Sequence, residues 1–70
     1  MKYDIRKKIG KNIREIRIIQ TMSQGDVCRA TGMDRAYLSS LEAGRRNPTL
    51  TTVEKIAYGL SVPIEQIFKF

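Results

Sequence analysis

Between Ser23 and Pro48 the chain reads SQGDVCRATGMDRAYLSSLEAGRRNP, and the Gly32 and Asp34 near its centre constrain the fold more than any other feature. Gly32 accepts the positive φ that ends one helix and redirects the chain, and Asp34, two residues on, is an N-cap for the next. The segment is therefore expected to form two helices joined by a tight turn. Ser23 caps the first, with Asp26 near its amino end and Val27 and Cys28 as apolar positions. The second is expected from Arg35 to Ala43 and is stopped by Gly44. Pro48 disfavours helix for Asn47, so Arg45, Arg46 and Asn47 form a basic turn.

The flanking sequence is helical as well. Ile5, Ile9, Ile13 and Ile16 recur at helical spacing, which predicts an amphipathic first helix over residues 4–20. Thr49 or Thr51 caps a fourth helix in LTTVEKIAYGL, where Leu50, Val53, Ile56, Ala57 and Leu60 follow the same period. Pro63 suits the first turn of a short fifth helix with Ile64, Ile67 and Phe68 on one side. No strand-period alternation, internal repeat or low-complexity stretch is seen. The expected fold is all-α and compact, with five helices in a single domain over residues 1–70.

A chain of 70 residues buries only a modest core and needs tight packing, a staple or a partner. Its single cysteine, Cys28, forms no intramolecular disulfide, and without histidine no structural zinc site is expected. The amino-terminal MKYDIRKKIGKN is charged, unlike a signal peptide, and no stretch has the apolar length of a membrane span. A soluble, reduced, cytoplasmic protein is the expectation. Thirteen basic residues against seven acidic ones give a net charge of +6, the balance suited to a polyanionic partner. Residues 1–20 hold most of it: Lys2, Arg6, Lys7, Lys8, Lys11, Arg14 and Arg17 face only Asp4 and Glu15. A solubilising helix face would explain that run equally well.

Two capped helices around a glycine turn, the second ending in a basic loop, have the layout of a DNA-reading helix-turn-helix. The residues themselves resemble the Cro and lambda-repressor family, including short Xre-type bacterial regulators. Gln24, Val27, Cys28, Gly32, Leu38, Ser39, Leu41, Glu42, Gly44, Arg46 and Pro48 fall in register with its pattern, and IGKNIREIR extends the likeness over nearly the whole chain. Within the family, MDRAYLSSLEAGRRN is most similar to the controller proteins of restriction-modification systems, which are small dimeric regulators. The chain departs from the pattern at Thr21, where a helix-ending glycine is usual and a less sharp turn is expected. It departs again at Cys28, in place of alanine, and at Ile18 and Ile19, in normally polar positions.

The resemblance implies a lambda-repressor-like domain whose third helix enters the major groove of double-stranded DNA. Arg35 and Ala36 lie in that helix's first turn, where Arg35 can bond guanine and Ala36 can touch a thymine methyl. Tyr37 reaches a base edge or a phosphate, and Ser40 follows one turn along. Phosphate contact is expected of Gln24, at the amino end of the second helix, and of Ser39, Arg45, Arg46 and Asn47. Lys7, Lys8, Lys11 and Arg14 are assigned only long-range attraction. Arg17 and Glu42 are implied to form a partly buried structural ion pair, and Cys28 reads as a small core group.

A single reading helix spans too few base pairs for useful specificity, so a homodimer on a pseudo-palindromic operator is expected. The apolar carboxy-terminal SVPIEQIFKF makes Ile67, Phe68 and Phe70 the candidate interface, with Ile18 as a second contact. The competing reading is a helix-turn-helix that binds mainly another protein, as in an antitoxin, for which a tail beyond the domain is the expectation. RNA binding lacks an aromatic stacking signature. No histidine or glycine-rich phosphate loop is present and the carboxylates are scattered singly, so neither an enzyme nor a cofactor or small-molecule ligand is expected.

Overall fold

The computed structural model describes residues 4–70, so Lys2 of the basic run lies outside the described residues. Helix α1 spans Ile5–Ile19, α2 Gln24–Thr31, α3 Arg35–Glu42, α4 Leu50–Leu60 and α5 Ile64–Ile67, with no strand among the described residues. Each start has a physical cause. Asp4 caps α1 by accepting the Arg6 N–H at 3.1 Å, so the helix begins one residue later than its periodicity predicts. Ser23 and Asp26 form a reciprocal capping box, the Ser23 hydroxyl accepting the Asp26 N–H at 3.0 Å and the Asp26 carboxylate accepting the Ser23 N–H at 2.8 Å. Asp34 caps α3 through the Tyr37 N–H at 3.1 Å. Of the two threonine candidates, Thr49 caps α4. Pro63 stands as the N-cap of α5, just before its first turn.

The ends of α1 to α4 share one geometry. Gly32 and Gly44 take φ of +74° and +77°, and Thr21 and Ser61 take +56° and +58° although they carry side chains. The Met22 N–H reaches the Arg17 carbonyl at 3.0 Å across Thr21, and the Arg45 N–H reaches the Ser40 carbonyl at 3.0 Å across Gly44. The first turn is thus as sharp as a glycine turn, contrary to the expectation from Thr21. The hydrogen bonds that close it hold a β-branched residue in a conformation that such residues rarely adopt.

Helix α1 packs against α3, α4 and α5, while α2 packs against α3 and α4. Ile13, Val27, Leu38, Leu41, Ile56 and Leu60 meet in the middle with no appreciable exposure, each stabilising the fold by about 1.5 to 3 kcal/mol. The periodicity overreaches at two ends, since Ile5 and Leu50 are exposed. Both occupy the first position of their helices, before the turn that meets the core. Asn12 closes the far side by donating its amide to the carbonyls of Ile67 and Lys69 at 2.8 and 3.0 Å.

One close approach sets the spacing of α1 and α3. Gly10 lies against the carbonyls of Leu41 and Glu42, and a β-carbon there would sit 2.9 Å from the Glu42 oxygen and closer still to that of Leu41. Gly10→Ala is expected to force the helices apart and cost about 1 to 3 kcal/mol, read as a lower urea midpoint. Thr21→Gly should act in the opposite direction. It relieves about 1 to 2 kcal/mol of left-handed strain and returns about half in unfolded-chain entropy, for a net gain near 0.5 to 1 kcal/mol in the same measurement.

Candidate nucleic-acid interface

The α3 helix presents two distinct faces. Leu38 and Leu41 are buried, whereas Arg35, Ala36 and Ser39 are exposed and Tyr37 and Ser40 are half-buried. Among the described residues Arg35 makes no hydrogen bond or ion pair, so its guanidinium donors remain unspent, and its Nη1 lies 3.8 Å from where a β-carbon on Gly25 of α2 would sit. Nearby arginines behave differently. Arg29 is paired with Asp26, and Arg17 with Glu42. The Ser23 backbone N–H and then its hydroxyl hold the Asp26 carboxyl below its ordinary range, with Arg29 adding to the effect.

Tyr37 has a definite role. One side of its ring packs against the core, and the Arg46 guanidinium carbon lies 5.3 Å from the ring centroid. This cation–π contact fixes Arg46 beside the reading helix at a cost in freedom already met before any ligand arrives. The loop beneath it is tethered by the Arg45 N–H and by Gly44, where a β-carbon would meet the Lys7 side chain at 2.7 Å. Lys7 of α1 therefore lies against Gly44, next in the chain to Arg45 and Arg46. Asn47 is exposed on the same loop.

A shallow groove of about 290 Å³ lies where α1, α2 and α3 meet, lined by Arg14, Gln24, Ser39, Glu42 and Ala43. It brings together two expected phosphate residues, Gln24 and Ser39, with Arg14, which sequence reasoning left among the distant charges. The signal that could have found Arg14 is its position three residues before Arg17 on α1, the same helical face. Gln24 is half-committed. One amide N–H donates to Glu42 Oε1 at 3.1 Å, leaving the second donor.

Below the groove, Arg17 Nε and Nη2 donate to Glu42 Oε2 and Oε1 at 2.7 and 2.9 Å, and Arg17 Nη1 donates to the Met22 carbonyl at 3.0 Å. The side chains are 12% and 4% exposed. Glu42's carboxylate raises the Arg17 guanidinium above its already high ordinary value. Cys28 is half-buried against the core.

The expected dimer contact needs correction at Ile67, which has 0% exposure because it is the apolar plug of α5 in its own chain's core. Phe68 is partly buried on that core and meets Phe70 edge-on at 6.5 Å. Ile18 and Ile19 are exposed at the end of α1. No helix among the described residues is long and apolar enough to cross a membrane.

Residues 13–67 match the helix-turn-helix family. The chain belongs to that family. It is thus a regulator of the helix-turn-helix type, not an enzyme, and its five helices are those of controller-protein structures. The control protein C.MunI from Mycoplasma sp is 35% identical over 66 residues, covering 93% of this chain and 89% of that protein. The restriction-modification controller protein C.AhdI from Aeromonas hydrophila superimposes with a TM-score of 0.89 at 32% identity, over 94% of this chain and all of the other. The controller protein C.Esp1396I, solved as a tetramer in complex with its natural 35 base-pair operator, superimposes at 0.83 with 30% identity, over 97% of this chain and all of that one.

In this family member the Arg17–Glu42 pair fastens the reading helix to the scaffold. Arg17→Met should strand a nearly buried carboxylate and cost about 3 kcal/mol in a denaturant melt, with the double change Arg17→Met, Glu42→Leu recovering part of the loss.

Proposed function

We propose that this chain is a sequence-specific transcriptional regulator that binds a pseudo-palindromic operator in double-stranded DNA as a homodimer, with α3 in the major groove. Restriction-modification genes are its proposed targets, and the bacterial cytoplasm its proposed location. The observation that carries this reading is the contrast along α3. Its amino-terminal turn offers an exposed Arg35 without an intramolecular partner, while its other end is held by buried contacts. A free fork of donors on a rigid helix is what bidentate recognition of guanine O6 and N7 requires. Ala36 beside it admits close approach to a base pair, and Ser40 follows on the same face.

The surrounding groups serve the phosphates. The second Gln24 donor, the Ser39 hydroxyl and Arg14 line one groove that fits a backbone phosphate next to the α2 amino terminus. Arg45, Arg46 and Asn47 follow the strand on the other side, with Tyr37 acting through Arg46. These contacts set register and carry no sequence information.

Selection from a random duplex library tests the proposal and is expected to return a palindrome. Uniform weak binding that disappears with modest salt would sink it. Arg35→Ala should relax preference at one base position in each half-site, at about 1 to 3 kcal/mol of lost discrimination. Arg46→Ala should weaken all duplexes alike and lower the salt slope by about 1 per protomer.

A further inference from the structure

Gly25 of α2 leaves a gap that three side chains surround. From where its β-carbon would sit, Arg29 Nη1 is 3.3 Å away, Ser23 Oγ 3.6 Å and Arg35 Nη1 3.8 Å. The three arrive from different places, since Ser23 precedes α2, Arg29 lies one turn beyond Gly25 and Arg35 opens α3. Each has donor capacity to spare among the described residues. Arg35 makes no hydrogen bond, and Arg29 spends only Nη2, on Asp26 Oδ1. The Ser23 hydroxyl accepts the Asp26 N–H while its own proton has no protein acceptor.

A scaffold role does not account for this convergence. The Arg29–Asp26 pair is a surface pair, with side chains 74% and 39% exposed, and such pairs hold a helix only weakly. The Asp26 carboxylate is itself fully engaged, Oδ2 accepting the Ser23 N–H at 2.8 Å and Oδ1 accepting Arg29. Asp26 offsets one of the two guanidinium charges, so the gap keeps one net positive charge. Two guanidinium ends turned toward one empty position repel each other unless an anion lies between them.

We propose that Arg29, with Arg35 Nη1 and the Ser23 hydroxyl, seats one oxygen of a DNA backbone phosphate over Gly25. A phosphodiester is a monoanion whose unesterified oxygens accept several donors at once, which matches the gap in charge and in donors. The seat is separate from the groove of Arg14, Gln24 and Ser39. Gln24, about 100° back around α2, turns its amide to Glu42 on the other side. Arg35 gives the seat an Nη1 donor and keeps its Nε and Nη2 edge for guanine, so the reading arginine is braced between a phosphate and a base. Gly25 makes the room, because any β-carbon stands where the oxygen must approach.

This inference rests on the operator-binding reading, and the experiment separates the two. The duplex returned by selection is resynthesised with a neutral methylphosphonate at one backbone position at a time, and affinities are measured for the wild type, Arg29→Gln and Gly25→Ala. Arg29 is exposed, and a β-carbon at Gly25 meets only side-chain ends and favours helix, so both variants are expected to melt close to the wild type. In the wild type each contacted position should lose about tenfold in affinity on neutralisation. At one position in each half-site the penalty should fall below about twofold in both variants while the other positions keep theirs. Arg29→Gln should also lower the salt slope by about 1 per protomer, and Arg29→Lys should keep it. Penalties unchanged at every position would overturn the seat and leave the operator reading standing. A wild type without a preferred duplex would overturn both. Relaxed preference at a base position apart from the one Arg35 reads would place Arg29 on a base edge and overturn the phosphate assignment. Millimolar inorganic phosphate, against chloride of equal ionic strength, should weaken wild-type and Arg29→Gln binding alike, and a selective effect on the wild type would reassign the seat to the free ion.

Discussion

The carboxylate of Glu42 is the point on which the arrangement depends. It lies at the last residue of α3, nearly buried, and a charge in that position is tolerated only when its oxygens are satisfied. Arg17 of α1 supplies a bidentate fork, Gln24 of α2 supplies an amide donor, and Arg17 Nη1 closes on the Met22 carbonyl between α1 and α2. The Arg17–Glu42 pair thus joins three helices and the turn between two of them. Lysine in place of Arg17 would present a point charge without the planar fork, and could not hold Glu42 and Met22 in the same geometry.

With its carboxy end so fixed, α3 can leave its amino end bare. The backbone contact at Gly10 fixes how near α1 comes, Leu38 and Leu41 fill the space beneath, and the Asp34 cap satisfies the first turn without using an exposed side chain of the reading face. The charges divide accordingly. Carboxylates neutralise the arginines that shape the scaffold, Arg17 and Arg29, and none is spent on Arg35. A ligand meeting Arg35 need not break an existing bond to reach it.

The features carried by local chemistry were legible in the sequence. Ser23, Asp34 and Thr49 each cap a helix by hydrogen bonding within three residues, and Gly32 and Gly44 each end one, so short-range pattern finds them, although it left Thr49 and Thr51 as alternatives. Arg17 and Glu42 are 25 residues apart, and only likeness to a family whose members share the motif brought them together. What escaped is what depends on distance in space. Gly10 reads as an ordinary weak point in a helix until the Leu41 and Glu42 carbonyls are placed against it. Asn12 reads as a surface amide until the Ile67 and Lys69 carbonyls arrive. Ile67 and Leu50 were exchanged for the same reason, because periodicity says which residues share a face and not how far the neighbouring helix extends along it.

The two arginines proposed to meet DNA, Arg46 and Arg35, differ before any DNA is present, and Tyr37 makes the difference. Arg46 is a long side chain in a loop, and unrestrained it would lose up to about 2 kcal/mol of rotamer freedom on gripping a phosphate. Stacked on the Tyr37 ring, it has already lost part of that freedom, and the loop below it is tied by the Arg45 N–H and by the Gly44 contact with Lys7. Such a group suits a phosphate, which every sequence presents in the same place. Arg35 makes no such ring contact and no hydrogen bond, so in the proposed role a base edge with two acceptors offers its fork its first polar partners. Under the proposed assignment, a positioning arginine held in place before binding and a reading arginine with unspent donors make the non-specific part of binding insensitive to sequence and the specific part demanding. The physical origin of that division is one aromatic ring whose face sequence spacing alone could not place.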